Sequence, residues 1–226
     1  AMDKNGVIYV STADTLYAWG YRDPISIEVS IPEGNYTALD EVTITATLNE
    51  TVEGNVTFTL GDLIKVVPVN GTTAVWTTVL KGGNQTIFAT FEGNNDYMSA
   101  EGNVTVSAGK LDVEFENVPE VLTFDPSKTN QLIVFFDIIY NGTNVTVGSI
   151  AGYDENNNKL SGTWRYIANN GWRATIRGIG AGYHNITIVY TGDSNYNDAN
   201  TTFKLMSLPT VTPSVKIDND ANEITV

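Results

Sequence analysis

One stretch near the middle of the chain is repeated towards its end, and this repeat decides the fold. Residues 86–100 read TIFATFEGNNDYMSA, and residues 185–199 read NITIVYTGDSNYNDA. The two stretches align without a gap at an offset of 99 residues. The pairs that coincide in type include Phe91 and Tyr190, Gly93 and Gly192, Tyr97 and Tyr196, and Ala100 and Ala199. A repeat at a fixed offset indicates two copies of one structural unit.

Outward from the repeat, apolar residues alternate with Thr at a period of two. Examples are residues 42–48 (VTITATL), 56–60 (VTFTL) and 186–190 (ITIVY). This alternation predicts strands with one face on a core and one in water, the pattern of antiparallel sandwiches. Gly, Asn and Asp cluster between the strands, and no stretch has helical periodicity over three turns. We therefore expect an all-β protein with almost no helix, and two sandwiches at residues 24–109 and 110–208.

The residues around the repeat resemble a known family. In both copies a strand leads into an aromatic residue, a Gly-Asp or Gly-Asn turn and a Tyr, and a Thr-rich last strand follows. This order resembles the bacterial-type immunoglobulin-like repeats of large cell-surface proteins. The likeness extends to the adhesin-like proteins of methanogenic archaea, whose repeats carry Gly-x-Tyr-Asn-x-Thr before the same strand, similar to Gly182–Thr187 (GYHNIT).

The resemblance covers most of residues 24–208 and implies two tandem immunoglobulin-like antiparallel β-sandwiches with short β extensions at both ends. It also implies a tyrosine-corner hydrogen bond, in which a Tyr hydroxyl bonds to nearby backbone. Tyr183 stands at the matching position of the second copy, whereas the first copy has Asn84 there. We expect the tyrosine corner in the second copy alone.

Both ends of the chain resemble pieces of neighbouring domains. Residues 5–19 resemble one repeat of a quinoprotein-like β-propeller, so residues 1–23 are predicted to form a hairpin or the remnant of a preceding domain. Four side chains of this segment are expected to pack on the first sandwich: Tyr9, Leu16, Tyr17 and Trp19. Residues 209–226 are predicted to be a Pro-containing linker and the start of a following repeat. We interpret the chain as a fragment of a longer protein, so missing targeting signals say nothing about its location.

Composition and charge exclude several function classes. The 226 residues contain no Cys and one His, which removes disulfides, thiolate metal sites and His-rich metal sites. The net charge of −14 opposes binding to nucleic acid or to anionic membrane surfaces. No segment approaches the length of apolar sequence that a membrane span needs. His184 lies in a stretch that enters a strand, which favours a structural role over a catalytic one, and we predict no catalytic residues and no cofactor.

The Gly-Asp-x-Asn-Tyr turn leaves calcium binding open as a weaker alternative. Oxygen ligands on a Gly-containing loop suit a hard cation. The candidates are Asp193, Asn195 and Asp198, with Asn94, Asn95 and Asp96 in the first copy. We favour a plain turn in which Gly supplies positive φ and the Asp or Asn side chain bonds local backbone. The first copy lacks a carboxylate at the position of Asp193, which weakens a shared metal function.

Asn-x-Thr sequons are unusually frequent. Ten occur, at Asn35, Asn49, Asn55, Asn70, Asn84, Asn103, Asn141, Asn144, Asn185 and Asn200. Random placement of the 24 Asn and the 40 Ser and Thr residues would give fewer than half as many. A glycosylated surface protein predicts this excess, and so does a Thr-rich β-protein in which Asn and Thr both face outward. The sequence leaves both explanations open.

The stretch 163–177 (TWRYIANNGWRATIR) is predicted to be a hairpin around Asn169–Gly171. Alternation places five residues on one side, namely Trp164, Tyr166, Trp172, Ala174 and Ile176, and three on the other, namely Arg165, Arg173 and Arg177. Core aromatics with an outward row of arginines is the favoured interpretation. Two alternatives remain: Trp164, Tyr166 and Trp172 as a platform for sugar rings, and the arginine face as a docking site for an acidic partner. Residues 24–109 carry a net charge of −8 and residues 110–208 a net charge of −3.

These observations predict a non-catalytic tandem of immunoglobulin-like domains from an extracellular, archaeal cell-surface protein, which serves as a stalk or adhesion module. Its expected partners are a host or microbial surface protein or glycan, and neighbouring repeats of the same chain. The alternative is a carbohydrate-binding accessory module of an extracellular polysaccharide-degrading enzyme. Exposed, coplanar Trp164 and Trp172 would favour that alternative, whereas their burial would remove its best residues.

Overall fold

The structure is a computed structural model that describes residue 2 and residues 7–20, 22–211, 216–218 and 223–225. Every regular element in these residues is a strand. The chain divides into two compact units, Ala1–Lys110 and Leu111–Val226, which we call domain 1 and domain 2. The division lies one residue from the boundary expected from the repeat.

The described part of domain 1 contains ten strands. They are β1 (Ile8–Ser11), β2 (Leu16–Trp19), β3 (Ile27–Ser30), β4 (Tyr36–Thr37), β5 (Glu41–Leu48), β6 (Asn55–Leu60), β7 (Leu63–Pro68), β8 (Thr73–Val79), β9 (Gly83–Phe91) and β10 (Ala100–Gly109). Strands β3, β5 and β8 form a sheet in the order β3-β5-β8, and a second sheet has the order β4-β10-β9-β6-β7. All pairs are antiparallel except β4 with β10.

The core of domain 1 lies between these two sheets. The alternation in 42–48 places Val42, Ile44, Ala46 and Leu48 inward and the threonines between them outward or half-buried. Facing them, Val56, Phe58 and Leu60 of β6 and Ile87, Ala89 and Phe91 of β9 are buried. The sequence pattern of one apolar and one polar face is therefore realised as a sandwich.

In domain 2 eleven strands lie within the residues that the structure describes. They are β11 (Glu114–Glu116), β12 (Val121–Phe124), β13 (Gln131–Tyr140), β14 (Thr143–Asn144), β15 (Ser149–Tyr153), β16 (Gly162–Ile167), β17 (Gly171–Arg177), β18 (Gly182–Thr191), β19 (Ala199–Ser207), β20 (Lys216–Asp218) and β21 (Glu223–Thr225). One sheet has the order β11-β13-β17-β16, with β14 beside β13, and the other has the order β12-β19-β18-β15. The pair β12 and β19 is parallel.

The core of domain 2 is centred on Trp172 of β17. The indole is 4% exposed, and its Nε1–H donates to the carbonyl oxygen of Val145 at 2.8 Å. Its ring meets Tyr166 and Tyr190 edge-on, with centroid distances of 5.8 and 6.4 Å. Because a buried indole N–H needs an acceptor, this hydrogen bond fixes the orientation of the ring.

The ends of the chain differ from expectation where they are described. Strands β1 and β2 pair antiparallel as predicted, but Leu16, Tyr17 and Tyr9 are 66, 46 and 36% exposed. The expectation that these side chains pack on the first sandwich is wrong, because that core is closed by residues from 25 onwards. The side chain of Trp19 lies outside the described residues. Strands β20 and β21 pair antiparallel, and the remainder of the expected third repeat lies outside the described residues.

Candidate functional site

The repeated motif forms the turn between the last two strands of each domain. Gly93 has a φ of +83° and begins the turn in domain 1, and Gly192 takes the same place in domain 2. A Cβ on Gly93 would overlap the carbonyl oxygen of Tyr97, and one on Gly192 would overlap that of Tyr196. Glycine is required at both positions because the turn folds its own backbone back against them.

An Asn or Asp side chain closes the turn from inside. In domain 1 the backbone N–H groups of Asp96 and Tyr97 donate to Oδ1 of Asn94, at 2.9 and 2.8 Å. In domain 2 those of Asn195 and Tyr196 donate to Oδ1 of Asp193, at 2.7 and 3.1 Å. An amide oxygen and a carboxylate oxygen accept the same two bonds, which explains why the two copies can differ in charge at this position.

The same turn holds the chain as it enters each domain. In domain 1 Asp23 donates its N–H to the carbonyl of Asp96 at 2.7 Å and accepts from the N–H of Met98 at 2.9 Å. In domain 2 Leu111 makes the equivalent bonds with Asn195 and Asn197, at 2.8 and 2.9 Å. The resulting parallel bridges join Asp23 to Tyr97 and Leu111 to Tyr196. The two repeated tyrosines therefore occupy equivalent sites, as the sequence alignment predicts.

A parallel pair of strands holds the chain where it leaves each domain. In domain 1 the pair β4 and β10 has two residue pairs, and the N–H of Ala38 donates to the carbonyl of Gly109 at 2.7 Å. In domain 2 the pair β12 and β19 has four residue pairs. Two backbone bonds extend this ladder, from Lys204 N–H to Glu120 O at 3.0 Å and from Leu208 N–H to Phe124 O at 2.8 Å.

A side-chain latch follows the parallel pair in domain 2. The carboxylate of Asp125 accepts hydrogen bonds from the Ser127 hydroxyl and the Thr210 hydroxyl, and from the backbone N–H of each. These hydrogen bonds, led by the one from the Ser127 hydroxyl, hold the pKa of Asp125 well below its ordinary value. The ionised carboxylate of Asp125 therefore ties the residues just after the last strand to the loop after β12.

Two of the candidate calcium ligands, Asp193 and Asp198, accept hydrogen bonds from the backbone of the turn. Asp193 accepts the backbone bonds of the turn, and Oδ1 of Asp198 accepts from the N–H of Gly192 at 2.9 Å. The side-chain oxygen of Asn195 is buried without a hydrogen-bond partner. Within the described ranges no group of three or more His, Cys, Asp and Glu side chains could hold a metal ion. The hydrogen bonds are those of the plain turn.

The proposed sugar platform is wrong. Trp172 is buried at the centre of the domain 2 core, and Trp164 and Tyr166 are half-buried and packed against the same core. The aromatic rings therefore face the interior of the sandwich rather than solvent. Gly152 on β15 makes room for the ring of Trp164, because a Cβ there would overlap the indole. The predicted alternation is correct, and it places the arginines of this hairpin on the outer face.

The tyrosine-corner expectation is also wrong. The side chain of Tyr183 is 76% exposed. The motif around Tyr183 does not identify Tyr190, which is buried. The hydroxyl of Tyr190 donates a hydrogen bond to the carbonyl of Val147 at 3.1 Å. Burial, with smaller contributions from Asp193, Tyr196 and Asp198, raises the pKa of Tyr190 to about 12.

The imidazole ring of His184 connects neighbouring parts of domain 2. Its Nδ1 lies 3.3 Å from Oε1 of Glu155, and its Nε2 lies 3.1 Å from the carbonyl oxygen of Gly180. Both ring nitrogens are therefore used to connect β18 to the loop before it and to the loop after β15. This agrees with the structural role that the sequence favours.

All ten sequon asparagines are exposed. Four of the sequon threonines form cross-strand hydroxyl pairs: Thr86 with Thr105 at 3.2 Å, and Thr187 with Thr202 at 3.1 Å, measured between hydroxyl oxygens. Each pair lies directly across the ladder of the last two strands. Cross-strand Thr pairs stabilise sheets, so these four threonines have a role in folding that does not depend on glycans.

No protein-family model matches the chain, and no curated protein matches it. Similar solved structures include the fibronectin(III)-like modules of CbhA from Clostridium thermocellum, at 13% identity over 80% of this chain and 94% of that chain, with a TM-score of 0.35. The N-terminal eight Ig domains of Down Syndrome Cell Adhesion Molecule match at 13% identity over 91% of this chain and 27% of that one, with a TM-score of 0.31.

The BSP domain of a biofilm associated protein matches at 14% identity over 82% of this chain and 30% of that chain, with a TM-score of 0.28. The strand order itself shows the all-β, immunoglobulin-like β-sandwich architecture that the sequence resemblance implies. The comparisons do not support an archaeal origin or the likeness of residues 5–19 to a β-propeller.

Proposed function

We propose that the chain is a non-catalytic tandem immunoglobulin-like spacer of an extracellular, cell-surface adhesin-like protein, which carries tension between a surface and a more distant binding partner. The observation that carries this proposal is the way the backbone enters and leaves each domain. Both connections are made through hydrogen-bonded backbone at the two ends of the last strand.

The chain enters each domain against the turn that begins the last strand, and leaves from the other end of that strand. The last strands β10 and β19 have 10 and 9 residues. At about 3.3 Å per residue, each domain separates its own two connections by roughly 30 Å. A domain in which the chain enters and leaves at points far apart adds to the distance that the chain spans, which is the property that a spacer needs.

The parallel pairs resist tension by shear. Force on the chain pulls the beginning of β4 or β12 away from the end of β10 or β19. Because the paired strands are parallel, this force runs along the ladder and loads its hydrogen bonds together rather than one after another. Hydrogen bonds of a parallel ladder are evenly spaced, so the load is shared among them.

The surface composition suits an extracellular position. A net charge of −14 keeps such a chain soluble and repels anionic surfaces. The ten exposed sequons are open to modification if the parent protein passes through a glycosylating compartment. Among the described residues, no helix is long and apolar enough to cross a membrane. In the described ranges, the carboxyl groups whose pKa is shifted are Asp125 and Asp154, and both are shifted downward, opposite to what a general acid needs.

Pulling single molecules of the full chain by its two ends tests this proposal. The register and the bonds from Lys204 and Leu208 assign the N–H of Leu122 to the parallel ladder and leave the N–H of Val121 outside it. We expect Leu122→Pro to lower the unfolding force of domain 2 sharply. Val121→Pro is the matched control on the same strand, and Leu122→Ala measures the loss of packing alone.

In domain 2 we expect the wild type and Val121→Pro to unfold at similar forces, which are the highest. Leu122→Ala should unfold at a lower force, and Leu122→Pro at the lowest force. An equal unfolding force for Leu122→Ala and Leu122→Pro would mean that the parallel ladder carries no load, and would reject the spacer role.

A further inference from the structure

The outer face of the β11-β13-β17-β16 sheet carries the three arginines of the chain's predicted hairpin. Register places Arg165 directly across from Arg173, and Arg177 across from Gln131. Between these two rows Thr163 and Thr175 pair with each other. The two rows of long side chains therefore stand at either end of a row of short ones.

This arrangement encloses a cleft of about 240 Å³. Three of its six lining residues are Arg165, Arg173 and Arg177, and the others are Gln131, Thr163 and Thr175. Every lining side chain can donate a hydrogen bond, and none is a carboxylate. At about 30 Å³ per water molecule, the cleft holds roughly eight waters or a small polar group with part of its hydration shell.

The three guanidinium groups have no anionic partner among the described residues, whose ion pairs include Lys128 with Asp125 and His184 with Glu155. Arg173 is half-buried, and its Nε–H is buried without a hydrogen-bond partner. The carboxylate of Asp137, on the same face beside Gly171, accepts from Asn117 at 2.7 Å instead. A guanidinium partly withdrawn from water and left unpaired costs free energy, and an anion in the cleft would offset this cost.

The cleft is unusual in this chain because the rest of the molecule is acidic. The 226 residues contain 26 acidic and 12 basic residues, and three of the basic residues line this one cleft. A surface that only has to keep the protein soluble can use paired or scattered charges equally well. Solubility alone therefore does not explain why three unpaired arginines lie side by side.

We propose that this cleft binds the carboxylate side chain of an acidic peptide segment on a partner protein. Planar guanidinium groups on two adjacent strands suit a carboxylate, which accepts two parallel N–H bonds. The site goes beyond the spacer role and does not depend on it.

The neighbouring residues favour a peptide over an acidic glycan. Ile133 and Phe135 on β13 flank the cleft and are 42 and 47% exposed. Arginine beside an aromatic and an aliphatic side chain is the composition of protein–protein interfaces. The two tryptophans and the one tyrosine of this hairpin, which could stack on sugar rings, face the core instead.

Titration of the ¹⁵N-labelled full chain, followed by the Nε–Hε signals of its arginines, tests the proposal. The probe is a blocked peptide of sequence Gly-Glu-Leu-Glu-Gly at constant ionic strength, and the control peptide has Gln in place of both Glu residues. We expect the Glu peptide to shift the signals of Arg165, Arg173 and Arg177, and the Gln peptide to leave them unchanged.

Arg165→Gln and Arg177→Gln, both at exposed positions, should each weaken binding about tenfold, the usual effect of losing one charge-assisted hydrogen bond. Lys65→Gln removes one positive charge from an exposed site in domain 1 and should leave binding unchanged. Equal weakening by Lys65→Gln, or no shift at millimolar peptide, would overturn the site. Tighter binding of oligogalacturonate at the same carboxylate concentration would overturn the peptide assignment in favour of an acidic glycan.

Discussion

The two domains share their last two strands and the turn between them, but differ in the strand that follows β6 in domain 1 and β15 in domain 2. In domain 1, β7 stays beside β6 and extends the sheet that contains the last two strands. In domain 2, the equivalent strand β16 crosses to the other sheet and pairs with β17. The 99-residue repeat thus fixes the parts that hold the chain ends, while the edge of the sandwich is free to vary.

The position of the short turn explains this difference. In domain 1, Leu60 pairs with Leu63 across a two-residue turn in which Gly61 has a φ of +56°. This tight turn keeps β7 next to β6. In domain 2 eight residues separate β15 from β16, and the tight turn comes later, at Asn169 with a φ of +65° between β16 and β17. A strand joins the sheet of the neighbour to which the shorter connection ties it.

The largest expected effect is a loss of stability in the core of domain 2 that leaves the core of domain 1 unchanged. Trp172→Ala should lower the free energy of unfolding of domain 2 by about 3–5 kcal/mol, because it leaves a cavity and an unsatisfied carbonyl at Val145. Domain 1 should keep its stability if the two cores are independent. Urea denaturation that resolves two transitions measures both. Phe135→Ala, at an exposed position, is the control, and an equal loss in both transitions would show that the cores unfold together.

The second prediction tests the tight turns. Gly61→Ala should destabilise domain 1 by about 1 kcal/mol and Asn169→Ala domain 2 by a similar amount, because Ala is disfavoured at positive φ. A Cβ at Gly61 meets nothing within 4 Å, so the effect there is that of backbone conformation alone. Hydrogen exchange should quicken first in β7 for Gly61→Ala and in β16 for Asn169→Ala. Faster exchange in the other edge of either sandwich would contradict the role given to the turns.

The sequence predicted the terminal strands and the turn well because each depends on local residues. Alternation of Thr with apolar residues sets the strands, and Gly93 and Gly192 are required by backbone that lies only a few residues away. The hairpin pattern of residues 163–177 predicts the pairing of β16 with β17. It does not predict that β16 leaves the sheet that the equivalent strand β7 joins in domain 1, since this depends on comparing the lengths of two connections. The expectation for Tyr183 is wrong for a related reason: its motif is local, whereas the burial of its side chain depends on which face of β18 the core occupies.

The arginine row was assigned to the correct face from alternation alone. Its convergence on a cleft could not be predicted, because this depends on register between β16 and β17 and on the short Thr163 and Thr175 between the two rows. The three arginines are far enough apart in sequence that only the hairpin brings Arg165 beside Arg173. A net charge of −14 for the whole chain hides such a local cluster.

The third prediction concerns acid. Of the carboxyl groups that the structure describes, Asp125 and Asp154 have a lowered pKa, and both lie in domain 2, where hydrogen bonds stabilise their ionised forms. Stability from such groups is present above the unfolded pKa of 3.8 and is lost as pH falls below it. The urea midpoint of domain 2 should therefore fall between about pH 5 and pH 2, and Asp125→Asn should remove part of this fall. An unchanged pH profile in Asp125→Asn would contradict the latch at Thr210.

The smallest expected effect concerns a feature that the domains share. Thr105→Val and Thr202→Val should each destabilise their own domain by about 0.5 kcal/mol, because each breaks one cross-strand hydroxyl pair while keeping the shape of the side chain. Both substitutions also remove a sequon. Protein made in a host without N-glycosylation isolates the structural part, and Asn103→Gln and Asn200→Gln remove the same sequons while leaving the threonines in place.

In such protein the two Gln variants should have wild-type stability, because the exposed Asn103 and Asn200 make no side-chain hydrogen bond with a described residue. Thr105→Ser and Thr202→Ser keep both the hydroxyl and the sequon, and should lose less stability than the Val variants. If the Gln variants lost as much stability as the Val variants, the asparagines would share the structural role. If only the Val variants lost stability, four of the ten sequons would be explained by the ladder of the last two strands. Six sequons would then remain, about two more than random placement of the Asn, Ser and Thr residues predicts.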